Sequence, residues 1–294
     1  MPQPLPTADR EGFTTTTPIP LYWREDGPID APSLVLLHGG PGAHHEYLYP
    51  QMLALSATHR LLTYDQRGGG RSRTDEPTPI TWETQVADLA TVLAERAPSA
   101  PVLVGYSWGG LLALLYLLTR PQHPHWPAPA RVVVIAPAPI TRRWRAQFES
   151  TLAERQRGPV IQALREALAV SGLRERDPDA YRQRSFELSV AGYFADPDRA
   201  TDLTPFRVTG KVQQSVWDSL GDFDLRDALG AVAATPGAPP VLVVHGRQDP
   251  IPLASAEAVA TALHGSLVVL EDCGHVPYVE QPAALFAALQ AFIG

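Results

Sequence analysis

Residues 101–111 read Pro101-Val102-Leu103-Val104-Gly105-Tyr106-Ser107-Trp108-Gly109-Gly110-Leu111, an apolar run of β-formers that breaks at a serine set among glycines. The residues that follow, 111–118, are apolar on every side, as in a buried helix. A strand, a sharp turn and a buried helix in that order is the setting in which G-x-S-x-G lifts its serine to the carboxyl edge of a sheet. The flanking glycines leave room for the strained turn this requires. The same five letters also fit a glycine-rich turn with an idle serine, so the surrounding chain has to decide.

Runs of the same character recur on both sides: SLVLLHG at 33–39, RLLTYD at 60–65, RVVVIA at 131–136, VLVVHG at 241–246 and SLVVL at 266–270. Short apolar stretches closed by glycine or polar residues read as strands buried on both faces. Helical patterns alternate with them. At 82–96 Val86, Leu89, Ala90 and Leu93 share one face, 254–264 is a second pattern, and 282–293 has proline in its first turn with Gly294 at its end. The expected fold is therefore α/β, a mostly parallel doubly wound sheet, with an antiparallel leading hairpin over 13–24. Between 140 and 234 only helical patterns occur, which predicts an inserted helical cap. The expected organisation is a core from 1–139, the cap at 140–234 and the rest of the core at 235–294; the proline-rich stretch 122–130 reads as a surface loop.

With 294 residues, 45% of them hydrophobic and 19% charged, the chain can bury a sizeable core. Its 24 basic against 31 acidic residues leave a net charge of −7, which argues against nucleic acid or an anionic membrane surface as partner. Cys273 is the single cysteine, so neither a disulfide within the chain nor a multi-cysteine metal site is expected. No signal-like leader and no run of about 18 apolar residues is present, and the expectation is a soluble, cytoplasmic protein. Nothing in the sequence fixes an oligomeric state. The one lysine, Lys211, beside 23 arginines reads as composition bias.

A serine hydroxyl needs a base, and the base needs an acid that fixes its tautomer. His275 lies in EDCGHVPYVEQP after the last strand, and Asp249 lies in HGRQDP after the strand before it. Both are strand-end positions on the edge where Ser107 sits, and the order Ser, Asp, His is that of α/β-hydrolases. Singly, His275 could be an ordinary loop histidine and Asp249 a turn residue before Pro250; Glu271 and Asp272 compete for the role of acid. A negative charge developing on a carbonyl oxygen calls for backbone N–H donors. His38-Gly39-Gly40-Pro41-Gly42 follows the first buried strand, and Gly40 with Trp108 are the expected donors, with Gly39 beside the substrate and His38 bracing the loop. A tight structural turn is the competing reading of these glycines.

Together HGGPG, DQRGGGRS (65–72), GYSWGG, HGRQD and GHVPYVEQP resemble the proline iminopeptidase branch of the α/β-hydrolase superfamily. The resemblance spans nearly the whole chain and is strongest in the sheet portion. It implies a cofactor-free, metal-free, cytoplasmic serine aminopeptidase that removes an N-terminal proline or another small residue from a small-molecule or short-peptide substrate. It carries over Ser107, Asp249 and His275 as triad and Gly40 and Trp108 as oxyanion donors. The family's cap glutamates in Trp-Glu motifs are missing here, and Tyr106, Gly110 and Gly69 depart from its usual elbow and DQRG loop. DQRGGGRS reads as a structural loop that pairs its own acid and arginines. An aminopeptidase must give the substrate's ammonium a carboxylate partner. Glu187 is the expected one, with Glu149 and Glu154 behind it, and Trp144, Phe186, Tyr193, Phe194 and Trp217 could wall the pocket. A carboxylesterase or amidase acting on an uncharged acyl group needs no such glutamate, and a non-catalytic scaffold is the third reading.

Overall fold

Runs of Val, Leu and Ile with no polar face form strands covered on both sides. In the computed structural model, which describes residues 5–49, 51–75 and 79–294, six such runs and two strands of mixed character form one sheet. The strands are β1 (Arg10–Phe13), β2 (Tyr22–Asp26), β3 (Ser33–Leu37), β4 (Arg60–Tyr64), β5 (Val102–Tyr106), β6 (Arg131–Ile135), β7 (Val241–Gly246) and β8 (Ser266–Leu270). Their spatial order is β1-β2-β4-β3-β5-β6-β7-β8. β3 to β8 are parallel, while β2 pairs antiparallel with β1 and with β4. The leading hairpin starts at Arg10, three residues before the expected 13, because Arg10 donates to Glu25 across it at 3.0 Å and extends the pairing.

Alternation along each strand divides the core in two. Val35, Leu37, Leu103, Val132, Val134 and Val243 face one side; Leu34, Leu36, Val104, Val133, Ile135 and Val244 face the other. The first side is covered by α1 (Trp82–Arg96) and α2 (Trp108–Thr119), and all four residues expected on the inner face of α1 are buried. Thr81 and Thr84 close a capping box at the start of α1. α2 begins with ten successive buried residues, as its unbroken apolarity requires.

Between β6 and β7 lie α3 (Arg142–Gln156), α4 (Pro159–Val170), α5 (Leu173–Arg176), α6 (Pro178–Val190), α7 (Gly210–Leu220) and α8 (Arg226–Ala233). The expected cap segment 140–234 divides here. α8 packs against α2 and against α9 (Leu253–Ala262), with Leu229 fully buried in the first core side, so it is a layer of the sheet. α3, α6, α7 and the stretch between the last two face the carboxyl ends of the strands. The short α10 (Pro277–Glu280) and the C-terminal α11 (Pro282–Ile293) complete the chain, the latter burying Leu285, Leu289 and Ile293.

Candidate active site

Ser107 stands between β5 and α2 with φ 52° and ψ −115°, a conformation costly for a residue with a Cβ. Its neighbours permit it by lacking side chains. A Cβ on Gly105 would lie 2.3 Å from the Gly109 carbonyl, and one on Gly109 would lie 2.1 Å from that of Leu37. The turn is held by the Ser107 N–H donating to Ile135 at 2.9 Å and by the Ser107 carbonyl accepting from Gly110, Leu111 and Ala138.

The loops after β7 and β8 bring the two expected partners to this serine. His275 Nε2 lies 3.0 Å from Ser107 Oγ, and His275 Nδ1 lies 2.8 Å from Asp249 Oδ2. An ionised Asp249 fixes the proton on Nδ1 and leaves the Nε2 lone pair for the serine hydroxyl. Burial pushes the Asp249 carboxyl up, but His275, His245 and the Ile251 N–H at 2.7 Å outweigh it and hold it below the usual carboxylate range. Glu271 instead pairs with Arg247 in solvent, and Asp272 is exposed, so neither rival reaches the imidazole.

Gly40, at φ 63°, and Trp108, the first residue of α2, line the same cavity as Ser107. Among the described residues neither N–H donates to a protein acceptor, and a helix's first N–H has no intrahelical partner. Gly39 donates its N–H to Tyr47 Oη at 2.7 Å, and a Cβ there would approach the Ser107 Cβ to 2.9 Å. His38 braces this loop: Nε2 accepts from the Gln66 N–H at 3.1 Å, Nδ1 donates to Gly39, and burial pushes its pKa down to about 4. Gln66 also accepts from Trp108 Nε1 at 2.9 Å. DQRGGGRS is structural, but its charges pair mainly with other segments, Arg67 with Asp88 of α1 and Asp65 with His45.

Over Ser107 lies a cavity of about 350 Å³. Tyr193, Trp217 and Phe186 line it as expected, whereas Trp144 and Phe194 do not. Phe148, Phe206, Tyr47, Tyr106 and Tyr278 complete the aromatic wall; Tyr106 and Tyr278 lie in the quoted GYSWGG and GHVPYVEQP, whereas Phe148, Phe206 and Tyr47 had no sequence signal, because aromatic residues on helices and loops read equally well as core. Glu187 requires correction. Although its neighbour Phe186 lines the cavity, Glu187 turns to the opposite side of α6, where Arg184 (2.8 Å) and Gln183 (2.9 Å) take both carboxylate oxygens. Glu149 pairs with Arg145 and Glu154 is exposed. No carboxylate lines the cavity among the described residues.

Two further residues went unread. His245, in the quoted HGRQD, donates from Nε2 to the Ile251 carbonyl at 3.1 Å and places Nδ1 3.9 Å from Asp249 Oδ2. Glu280, in GHVPYVEQP, accepts the backbone N–H groups of Gly274 and Val276 on either side of His275. Among the described residues no cluster of three or more His, Cys, Asp or Glu could hold a metal, and no helix is long and apolar enough to cross a membrane.

A mostly parallel eight-stranded sheet with a serine elbow after its fifth strand defines the α/β-hydrolase class. The chain belongs to the alpha/beta hydrolase family, whose model matches residues 34–289. The proline iminopeptidase of Levilactobacillus brevis is 42% identical over 102 residues, 33% of this chain and 33% of that protein. The chain thus matches about one third of the length of such curated relatives. Among solved structures, the proline iminopeptidase-related protein of Thermus thermophilus has a TM-score of 0.71 at 23% identity, covering 96% of each chain. The naproxen esterase of Bacillus subtilis has a TM-score of 0.64 at 17% identity, covering 97% of this chain and 91% of that one. Both show a shared fold.

Proposed function

We propose that the protein is a serine hydrolase cleaving an ester or amide of a small, uncharged, apolar acyl group. The observation that carries this reading is the cavity over Ser107, walled by aromatic and aliphatic side chains with no carboxylate among its described lining residues. A free α-ammonium buried there would lack a carboxylate partner among the described lining residues, and desolvating an ammonium with no opposite charge costs several kcal/mol. An apolar acyl group gains by the same burial.

In this mechanism His275 Nε2 takes the Ser107 proton as Oγ attacks the acyl carbon, and Asp249 stabilises the imidazolium. The Gly40 and Trp108 N–H groups hold the tetrahedral oxyanion. Collapse breaks the bond to the leaving group, which takes its proton from His275. Water, deprotonated by His275, then releases the acid and restores the serine. No metal or cofactor enters these steps. A cytoplasmic location belongs to the same reading, in keeping with a single buried cysteine.

The 42% identity to proline iminopeptidases over a third of the chain favours a second reading, release of an N-terminal proline or another small residue. The two separate on kcat/KM for a free prolyl arylamide, its N-acetyl analogue and an aryl butyrate, with Ser107→Ala as control. The ester or the acylated amide is expected to win, with loss of turnover in Ser107→Ala. A free amine that wins clearly would establish the peptidase and overturn the acyl reading; full activity in Ser107→Ala would overturn both.

A further inference from the structure

Two prolines stiffen the loop that carries the catalytic acid. After β7 the chain reads Arg247-Gln248-Asp249-Pro250-Ile251-Pro252. Each proline fixes its own φ and pushes the residue before it toward extended backbone. Asp249 and Ile251 both stand before a proline, so a displacement of Ile251 passes to Asp249 with little bending between them. Prolines also lack an N–H, which leaves Asp249 and Ile251 as the backbone donors of 249–252. The Asp249 N–H goes to the Gly246 carbonyl at 3.2 Å, and the Ile251 N–H goes to Asp249 Oδ1 at 2.7 Å.

The Ile251 carbonyl is held by a side chain that the reaction steps do not use. His245, the last residue but one of β7, places Nε2 3.1 Å from it. A carbonyl only accepts, so Nε2 carries the proton. Nδ1 then lies 3.9 Å from Asp249 Oδ2, too far for a hydrogen bond, and has no hydrogen-bond partner among the described residues. The whole side chain is buried. A leucine would fill this place without leaving a buried nitrogen unpaired, so packing alone does not call for an imidazole. What the imidazole adds is the bond to Ile251. That residue acts twice at the site: its N–H orients the Asp249 carboxylate, and its side chain lines the Ser107 cavity.

We propose that His245 is a positioning residue for the catalytic acid: through the Ile251 carbonyl it sets the turn that aims Asp249 Oδ2 at His275 Nδ1. The proposal rests on Ser107 as nucleophile and applies to an ester or an amide substrate alike. With Asp249 in place, the tautomer of His275 is fixed and the imidazolium formed during attack is stabilised. With the turn released, the carboxylate leaves its position 2.8 Å from His275 Nδ1, and His275 becomes a weaker base.

The test follows the rate at which a fluorophosphonate labels Ser107, from roughly pH 5 to 9, beside kcat/KM for an aryl butyrate and a thermal melt. Wild type is compared with His245→Leu, His245→Asn and His245→Gln. Glutamine carries its NH₂ as far from Cβ as the imidazole carries Nε2 and can still donate to Ile251; asparagine carries it one bond closer and falls short. His245→Leu and His245→Asn should label about tenfold more slowly, or worse, at the plateau. Their acid limb should move down by about half a pH unit or more, because a His275 that has lost its carboxylate gives up its proton at lower pH. His245→Gln should recover most of the rate and return the limb toward that of wild type. A lowered Tm with an unmoved limb would mean that His245 only supports the fold and would overturn the proposal, as would a glutamine variant no better than asparagine. Variants that all match a labelled wild type overturn the role of His245 alone and leave the hydrolase reading standing. A wild type that is neither labelled nor active on the ester or a prolyl arylamide overturns the hydrolase reading, and this role with it.

Discussion

The peptide N–H of His275 donates to the carbonyl of Tyr193 at 2.7 Å, so the insertion between β6 and β7 helps to set where this imidazole lies. Glu280 strengthens the link: one oxygen accepts from Gly274 at 2.9 Å and Val276 at 3.2 Å, the other from Ala195 at 2.7 Å. His275 is thereby held from two sides, by Asp249 at the sheet edge and by residues 193–195 over it. A shift of residues 193–195 would move this imidazole as well.

Glu280→Gln should therefore impair catalysis as well as stability. Burial pushes this carboxyl up, yet three amide donors converge on it. A glutamine side-chain NH₂ must face at least one of those N–H groups, leaving buried donors opposed, at ~1–3 kcal/mol for each unsatisfied group. The expected result is a fall in kcat of about tenfold or more from a misplaced imidazole, with KM little changed. Steady-state kinetics beside a thermal melt checks this; a lowered Tm with unaltered kcat would mean that Glu280 only supports the fold.

Gly105→Ala tests the elbow itself. The added methyl would meet the Gly109 carbonyl at 2.3 Å, backbone against which no rotamer can retreat. Overpacking of this kind costs ~1–3 kcal/mol and shifts the backbone. A loss of turnover far larger than the loss of stability measured by urea titration is expected, because Ser107 Oγ would leave the reach of His275.

The sheet was legible because its signal is local: each buried strand is a short apolar run, and the period of two along residues 132–135 or 241–244 predicts both core sides without knowledge of neighbours. Ser107, Asp249 and His275 were legible for a related reason, since each terminates such a strand and strand ends share one edge. Glu187 was misread because successive helix positions point about 100° apart: Phe186 and Ser189 face the cavity, and Glu187, next to Phe186, lies on the other flank beside Arg184. The covering residues were unreadable for want of any local marker. Phe148 and Phe206 come from separate elements whose crossing only tertiary packing decides, and α8 hides its membership of the sheet layer behind the same helical periodicity as α3 to α7.

Acid stability should carry the signature of His38. Its folded-state pKa of about 4 lies below the ordinary 6.5, so between these values the unfolded chain binds a proton that the folded chain does not. Stability from this group is therefore intact above pH 6.5 and falls as pH drops toward 4, by up to ~3 kcal/mol. His38→Gln can still accept from the Gln66 N–H but does not titrate. Urea titrations at several pH values should show the variant weaker than wild type near neutrality, yet with a flatter decline below 6.5. Parallel slopes would show that His38 is not the group responsible.

Trp217→Ala should change which acyl chain fits. The indole lines the Ser107 cavity, packs edge-on against Trp108 with ring centroids 5.4 Å apart, and carries Arg145 over its ring at 3.8 Å. Removing it enlarges a cavity of about 350 Å³ by much of an indole. Each methylene of substrate that fills the space is worth ~0.8 kcal/mol, close to fourfold in kcat/KM. A series of aryl esters from acetate to decanoate should then show the optimum of the variant moved at least two carbons longer, with short chains losing rate because the site no longer grips them. If every chain length loses the same factor, Trp217 acts on Trp108 and the elbow rather than on the acyl group. That outcome would transfer the specificity of the cavity to Phe148, Phe186, Tyr193 and Phe206, the remaining large aromatic walls contributed by the insertion.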